Sequence, residues 1–254
     1  YADATNGWIP ISDDDVTDVP ERANQNGIFG YGDTGSYVSM TNLVSNAGVV
    51  ATDVTGVGTA RDKLGACEYG GDKAIFAYGN TGSVSSISNL VSNSGVVATD
   101  TTGVGTARDQ IAACEYGEDK GIFGFGYAGG VSSLSNLVSN AGVVATDTSG
   151  VGTARRYLAA CEYGTDTAIF AYGNTGSVSS LSNLVSNSGV VATDVTGVGT
   201  ARYLLAACSY GEDKGIFGYG YTGSIVSMTN LVSNSGVVAT DVTGVGTARY
   251  YVAA

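Results

Sequence analysis

The side chains able to do chemistry in this 254-residue chain recur at a fixed interval. Arg61, Arg108, Arg155, Arg202 and Arg249 stand 47 residues apart, and Asp53, Asp100, Asp147, Asp194 and Asp241 keep the same step. A guanidinium with a carboxylate could clamp an anion or serve as an acid group. Five equivalent copies, in a chain without a single histidine, instead form the pattern of structural ion pairs. A junction between repeats must satisfy its polar loops, and charge-assisted hydrogen bonds do that well. The expectation is that Arg61 pairs with Asp53, Arg108 with Asp100, and so on along the array.

The remaining reactive groups point the same way. Cys67, Cys114, Cys161 and Cys208 occupy one position of four successive repeats, each beside an alanine, so they read as free, buried thiols too far apart to bridge. Turns such as Glu118-Asp119-Lys120 carry carboxylates, but no spaced Asp-x-Asp-x-Asp loop gathers the six to eight oxygens that calcium takes. No metal or other cofactor is expected. General acid–base chemistry most often uses histidine. No Gly-x-Ser-x-Gly elbow occurs, and Gly-Val-Gly-Thr-Ala-Arg lacks the lysine and spacing of a phosphate-binding loop. A carboxylate-only glycosidase needs two acids flanking one sugar, whereas repeat-equivalent acids spread around the array. The chain reads as a non-enzyme with no catalytic residues.

The informative positions are those where near-identical copies disagree. Residues 74–120 and 168–214 differ at six of 47 positions. Yet after each arginine stands a different pair: Asp62-Lys63, Asp109-Gln110, Arg156-Tyr157, Tyr203-Leu204 and Tyr250-Tyr251. After each glycine-flanked aromatic come Asp33, Asn80, Tyr127, Asn174 and Tyr221. If the first two strands of a repeat form a hairpin, Lys63 neighbours Asn80, Gln110 neighbours Tyr127 and Leu204 neighbours Tyr221. All fifteen residues then share one face. Tyrosine, arginine, aspartate and asparagine on a rigid surface suit recognition, because amphipathic rings bind at low entropic cost. Drift at solvent-exposed positions would give variation of the same kind.

The elements that must position these residues follow from the period. Four short strand-like segments fill one copy: Arg108–Tyr116, Gly121–Gly126, Val131–Val138 and Gly142–Asp147. Tight turns join them, with glycine supplying positive φ at Gly142. Four antiparallel strands repeated five times predict an all-β, five-bladed β-propeller. Five periods counted back from Ala254 begin at Pro20, so the end and the beginning of the array are adjacent positions of one strand. Closure is expected by pairing of Arg249–Ala254 with the blade that starts at Ile28, with Pro20–Arg22 continuing that strand. Residues 20–254 form the propeller. Residues 1–19 form an acidic arm, dense in Asp13, Asp14, Asp15 and Asp18, that reads as a docking or linking segment. The chain opens at Tyr1, which suggests that something upstream was removed or left out.

Composition sets the outer bounds. Twenty-three acidic residues against eleven basic ones give a net charge of −12. That sign disfavours nucleic acid, whose binding rests on neutralising phosphates, and docking to anionic membranes. No apolar run approaches the ~20 residues of a spanning helix.

The run from Ala107 to Gly126 joins an arginine, a small-residue strand, a tight turn, an apolar second strand and a glycine pair around Phe125. It resembles the kelch repeat, whose usual period of ~50 is close to this one. Gly-Phe-Gly and its tyrosine counterparts stand where kelch has Gly-Gly, and the later kelch tyrosine and tryptophan are missing; the only tryptophan, Trp8, lies outside the repeats. The phrases around Ile216 and from Asn230 to Tyr250 are also similar to those of highly repetitive kelch-like proteins of tailed bacteriophages and marine viruses. That resemblance implies a virion or extracellular surface location and a binding role without enzymatic activity. Partners would be other virion or surface-assembly proteins through residues 1–19 and a host-surface glycan or protein through the variable face. A building block of a fibre or shell, or a multivalent lectin-like module, are the alternatives.

Overall fold

The structure, a computed structural model, describes residues 25–253, and of residues 1–24 only the backbone of two short paired strands, β1 (Ala2–Asp3) and β2 (Gly7–Trp8). The described residues contain no helix. The first repeat holds β3 (Gly27–Asp33) and β4 (Tyr37–Val44). Each later repeat holds three strands: β5 (Gly65–Tyr69), β6 (Lys73–Ala77) and β7 (Ser88–Val91); β8 (Ala112–Tyr116), β9 (Lys120–Gly124) and β10 (Ser135–Val138); β11 (Ala159–Tyr163), β12 (Thr167–Ala171) and β13 (Ser182–Val185); β14 (Ala206–Tyr210), β15 (Lys214–Gly218) and β16 (Thr229–Val232). Every pairing within them is antiparallel between chain neighbours, as in Cys114 opposite Ile122 and Ile122 opposite Leu137.

The expected fourth strand is not a strand. Residues 142–148 form no ladder on β10: the isolated bridges Val138–Val144 and Ser135–Thr148 flank a single backbone hydrogen bond from Ala145 N to Leu137 O at 2.8 Å. These two bridges differ by a one-residue slip in register, which breaks the ladder as a bulge does. The other repeats carry the same slip. The hairpin before it behaves as expected, with Gly142 at φ 77° and its N–H donating to Ser139 O at 2.8 Å.

The apolar core lies between consecutive sheets. In β8 the alternation puts Ala112, Cys114 and Tyr116 into the junction with the next repeat. In β9 both faces are covered: Ile122 packs forward with Leu158 and Phe170, and Phe123 packs backward on Tyr78. The five sheets therefore have four such cores, one per junction. Among the described residues the first sheet has two strands, and a cavity of about 390 Å³ is lined there by Ile28, Leu43, Val49, Val91 and Gly95.

The recurring arginines complete each junction. Arg155 is fully buried and donates from Nε to Tyr172 O at 2.8 Å, from Nη1 to Thr153 O at 3.0 Å, and from Nη2 to Asn183 Oδ1. Its guanidinium stacks on the Phe125 ring of the preceding sheet at 4.5 Å. Burial pulls its pKa down to about 10, although Asp194 opposes the shift. The structural role expected for these arginines is what the contacts describe, but the partner differs. Arg108, Arg155 and Arg202 face Asp147, Asp194 and Asp241, one repeat later than expected. The reason is topological: the arginine enters the sheet that follows it in the chain, and the aspartate ending that sheet comes back to meet it. Asp194 accepts from Thr153 N and Oγ1 and from Asn183 Nδ2, locking the loop ahead of the arginine to the far end of the same repeat. No ion pair joins Arg108 to Asp100 among the described residues.

The thiols are free, and Cys67, Cys114 and Cys161 are buried as expected. Burial pushes the Cys161 thiol up to about 12. Cys208 departs from the expectation: it is exposed, and among the described residues no following sheet covers β14.

The described residues also leave the array open. Segment 249–253 forms no strand and is not paired with β3. It stays with the fifth sheet instead, where Gly220 N donates to Arg249 O and Tyr251 N to Leu204 O. Ala254 and Pro20–Arg22, the other residues expected at the closure, lie outside the described residues, as does most of the arm 1–19.

Candidate functional site

Two residues after each recurring arginine the backbone turns through a left-handed residue. Lys63, Gln110, Tyr157, Leu204 and Tyr251 hold φ between 51° and 58°. This kink sets the local pairing. The first member of each variable pair, not the second, lies opposite the residue after the glycine: Asp62 bridges Asn80, Asp109 bridges Tyr127, Arg156 bridges Asn174 and Tyr203 bridges Tyr221. The expected neighbours Lys63–Asn80, Gln110–Tyr127 and Leu204–Tyr221 are thus displaced by one residue. The second members form a ladder of their own. Gln110 N donates to Lys63 O, Tyr157 N to Gln110 O, Leu204 N to Tyr157 O and Tyr251 N to Leu204 O, at 3.0 to 3.1 Å. The five repeats are stitched together at this one end.

The side chains that rise from this frame fall into two groups. The polar group comes from the early repeats. Lys63 pairs with Asp62 at 3.2 Å. Asn80 Nδ2 donates to Asp109 Oδ2 at 3.1 Å, and Gln110 Nε2 donates to Asp109 Oδ1 at 2.8 Å. Asp109 is 3 % exposed, held in place by these amides. The aromatic group comes from the later repeats. Tyr203 and Tyr221 meet edge to face with centroids 5.7 Å apart, Tyr157 and Tyr251 likewise at 6.0 Å, and Tyr250 lies 5.9 Å from Tyr221 and 5.3 Å from Tyr251. Tyr157 reaches Tyr203 at 6.1 Å, so five tyrosines form one connected patch. Arg156 extends it, its guanidinium 5.0 Å from the Tyr127 centroid and 5.6 Å from that of Tyr157. Burial, together with a hydrogen bond to Tyr251, pushes the Tyr157 hydroxyl well above the usual phenol range. Tyr251 is 62 % exposed and Tyr250 42 %.

Three of the fifteen residues stand apart from both groups. Asp33 caps its own turn, accepting from Gly35 N at 2.6 Å. Asn174 does the same for Gly176. Leu204 is buried against the ladder. The patch offers aromatic faces and edges beside planar amides, a carboxylate and a guanidinium. Such a surface stacks on flat or C–H-rich faces and hydrogen-bonds at its rim.

At the opposite end lies a feature the sequence reading missed. Glu68, Glu115 and Glu162 alternate with the buried Cys and Tyr of their strands, and so point away from the junction cores. They line a cavity of about 910 Å³ that Gln25, Asn26 and residues 209–212 also border. Burial and the neighbouring Glu162 push the Glu115 carboxyl up to about 9. The neutral form of Glu115 is favoured there. Period-two spacing around Cys114 was the signal that could have found it. Among the described residues no three Cys, Asp or Glu side chains are grouped to hold a metal ion.

Compared with known proteins, the chain matches no protein family and no curated protein.

Proposed function

We propose that this chain is a non-enzymatic recognition module, a five-bladed propeller of kelch type whose tyrosine-bearing end binds a partner surface. The observation that carries the reading is the connected patch Tyr157, Tyr203, Tyr221, Tyr250 and Tyr251, with Arg156 at its margin. It is assembled almost wholly from positions where otherwise near-identical repeats differ. Virion or extracellular surface placement, with residues 1–19 attaching the module to a larger assembly, rests on the likeness of the repeat phrases to viral kelch-like arrays. Within this reading the exposed rings of Tyr250 and Tyr251 favour a saccharide as one class of ligand, since sugar C–H faces stack on tyrosine.

A second reading, of a building block for a fibre or shell, is favoured by the uncovered apolar side chains at the two ends of the array, Phe29 among them. Tyr203→Ala and Tyr221→Ala separate the two. Recognition predicts at least a tenfold loss of binding to host cells or arrayed glycans, with the melting temperature within about 2 °C of wild type. Unchanged binding removes the tyrosine patch as the site, and lost assembly with intact binding supports the building block.

A further inference from the structure

The variable face carries one basic side chain that no carboxylate of the described residues neutralises. The residue after each recurring arginine is aspartate in two repeats, tyrosine in two, and arginine only at Arg156. Lys63, the other cation among the variable residues, is paired with Asp62 at 3.2 Å. Asp109 is taken by the amides of Asn80 and Gln110, at 3.1 and 2.8 Å. Arg156 makes no hydrogen bond or ion pair among the described residues. Its guanidinium rests on the rings of Tyr127 and Tyr157, and its Nε is enclosed without a partner. Gln110, whose backbone accepts from Tyr157 N, has its side-chain Oε1 enclosed without a partner too. Enclosed polar atoms left unpaired are rare in folded chains.

Asn174, which bridges Arg156 across the paired backbone, also has a donor to spare. In the second repeat the matching Asn80 gives its Nδ2 to Asp109. In the fourth, Tyr203 stands where that aspartate would be. Asn174 keeps the Gly176 cap on its Oδ1, and its Nδ2 has no acceptor among the described residues.

We propose that the tyrosine-bearing end takes an acidic saccharide, with the sugar carboxylate on Arg156 and the C–H face of its ring on the neighbouring tyrosines. A guanidinium offers a planar fork of N–H donors that fits a carboxylate with two parallel bonds, which an ammonium cannot do. The two rings that hold Arg156 displace part of its water, and a charge in that setting draws an opposite charge more strongly than one in bulk solvent. Tyr157 leads directly from the cation to the stacking surface, with Tyr203 at 6.1 Å and Tyr251 at 6.0 Å between centroids. A neutral sugar would meet the same rings but leave the guanidinium without a counter-charge. The net charge of −12 does not oppose this, because the acids of the face are already bonded and Glu68, Glu115 and Glu162 line the cavity at the opposite end. The proposal rests on the recognition reading above and narrows it to one class of ligand.

The full chain is titrated at low salt with a panel of uronic-acid and sialic-acid oligosaccharides, each beside its carboxyl-reduced, neutral counterpart. At least one acid should bind, and about tenfold or more tightly than its counterpart, as a charge-assisted pair implies. Arg156→Gln should bring that acid down to the affinity of the counterpart while the counterpart itself stays within about twofold and the melting temperature is unchanged. Arg156→Lys should recover only part of the difference, since it keeps the charge without the fork. An acid and its counterpart bound alike overturn the proposal, and this comparison needs no variant to fold. Acid binding that Arg156→Gln leaves intact overturns it, and so does a panel in which no acid binds. The underlying reading fails separately. Cell or glycan binding that is lost in Tyr203→Ala but kept in Arg156→Gln removes the acidic ligand alone, whereas binding that survives both variants removes the tyrosine patch with it.

Discussion

Replacing Arg155 by alanine tests whether the recurring arginines are structural. The change strips the donors from Tyr172 O at 2.8 Å, from Thr153 O at 3.0 Å and from Asn183 Oδ1, leaves Asp194 without its cation 3.5 Å away, and uncovers the Phe125 ring. A buried acceptor left unpaired costs about 1–3 kcal/mol, and breaking a buried charged pair about 3–5 kcal/mol. These terms overlap, and Asp194, 25 % exposed, can be rehydrated. A net loss of about 3–5 kcal/mol follows. At roughly 2–4 °C per kcal/mol for a chain of this size, the thermal midpoint should fall by about 6–20 °C. Arg155→Lys keeps the charge but not the planar fork that reaches Tyr172 and Asn183 together, and should recover no more than about half of the loss. The assay is a thermal melt followed by circular dichroism at pH 7. A fall of less than about 2 °C for Arg155→Ala would mean that the guanidinium holds nothing together, and the ion-pair account of the junctions would be lost with it.

The carboxylates of the 910 Å³ cavity make a prediction with the opposite sign from ordinary acid unfolding. Glu115 has a folded pKa near 9 against an unfolded value of 4.5, so the folded state keeps a proton that the unfolded chain releases. Stability should fall as pH rises through that window, by about 1–2 kcal/mol once screening by water in the cavity is allowed for. Glu115→Gln should melt higher than wild type at pH 9 and almost level with it at pH 4.5; a constant gap across that range refutes the raised Glu115 carboxyl. Gly197→Ala should lower the urea midpoint by the equivalent of about 1–3 kcal/mol. The new Cβ would stand 2.1 Å from Ser180 Oγ and 2.7 Å from the Ser180 carbonyl carbon, and backbone cannot yield as a side chain can. An unchanged midpoint would show that the loop ahead of Arg202 is not held against residues 179–182.

Much of this was legible in the sequence because period and alternation are local. The spacing of Ile28, Ile75, Ile122, Ile169 and Ile216 fixes the repeat, and the alternation in Ala112–Tyr116 fixes which side chains enter the junction. What was not legible depends on where one repeat meets the next. Proximity along the chain pairs each arginine with the aspartate eight residues before it, whereas the structure joins Arg108 to Asp147 across a whole sheet. The register of the variable pairs was missed because Lys63, Gln110, Tyr157, Leu204 and Tyr251 adopt positive φ, and nothing in those residue types announces it. The fourth segment kept its strand-like pattern but slips by one residue between its two bridges, a register effect that composition does not carry.

That left-handed position also bears on whether the variable face is used. Its backbone demands are met by the main chain alone, through the ladder that runs from Lys63 to Tyr251. The scaffold therefore asks for no particular side chain there, and glycine would relieve a strain of order 1 kcal/mol per copy. The same chain places glycine freely at other left-handed positions, as at Gly79, Gly126 and Gly173. Yet none of the five copies uses it at this one: lysine, glutamine, tyrosine, leucine and tyrosine stand instead. Drift governed by water contact alone would admit the least strained residue at least as readily as a bulky one. Leu204 is buried, but the other four, Lys63, Gln110, Tyr157 and Tyr251, two of them in the tyrosine patch, argue that what they present outward offsets what the backbone loses in holding them.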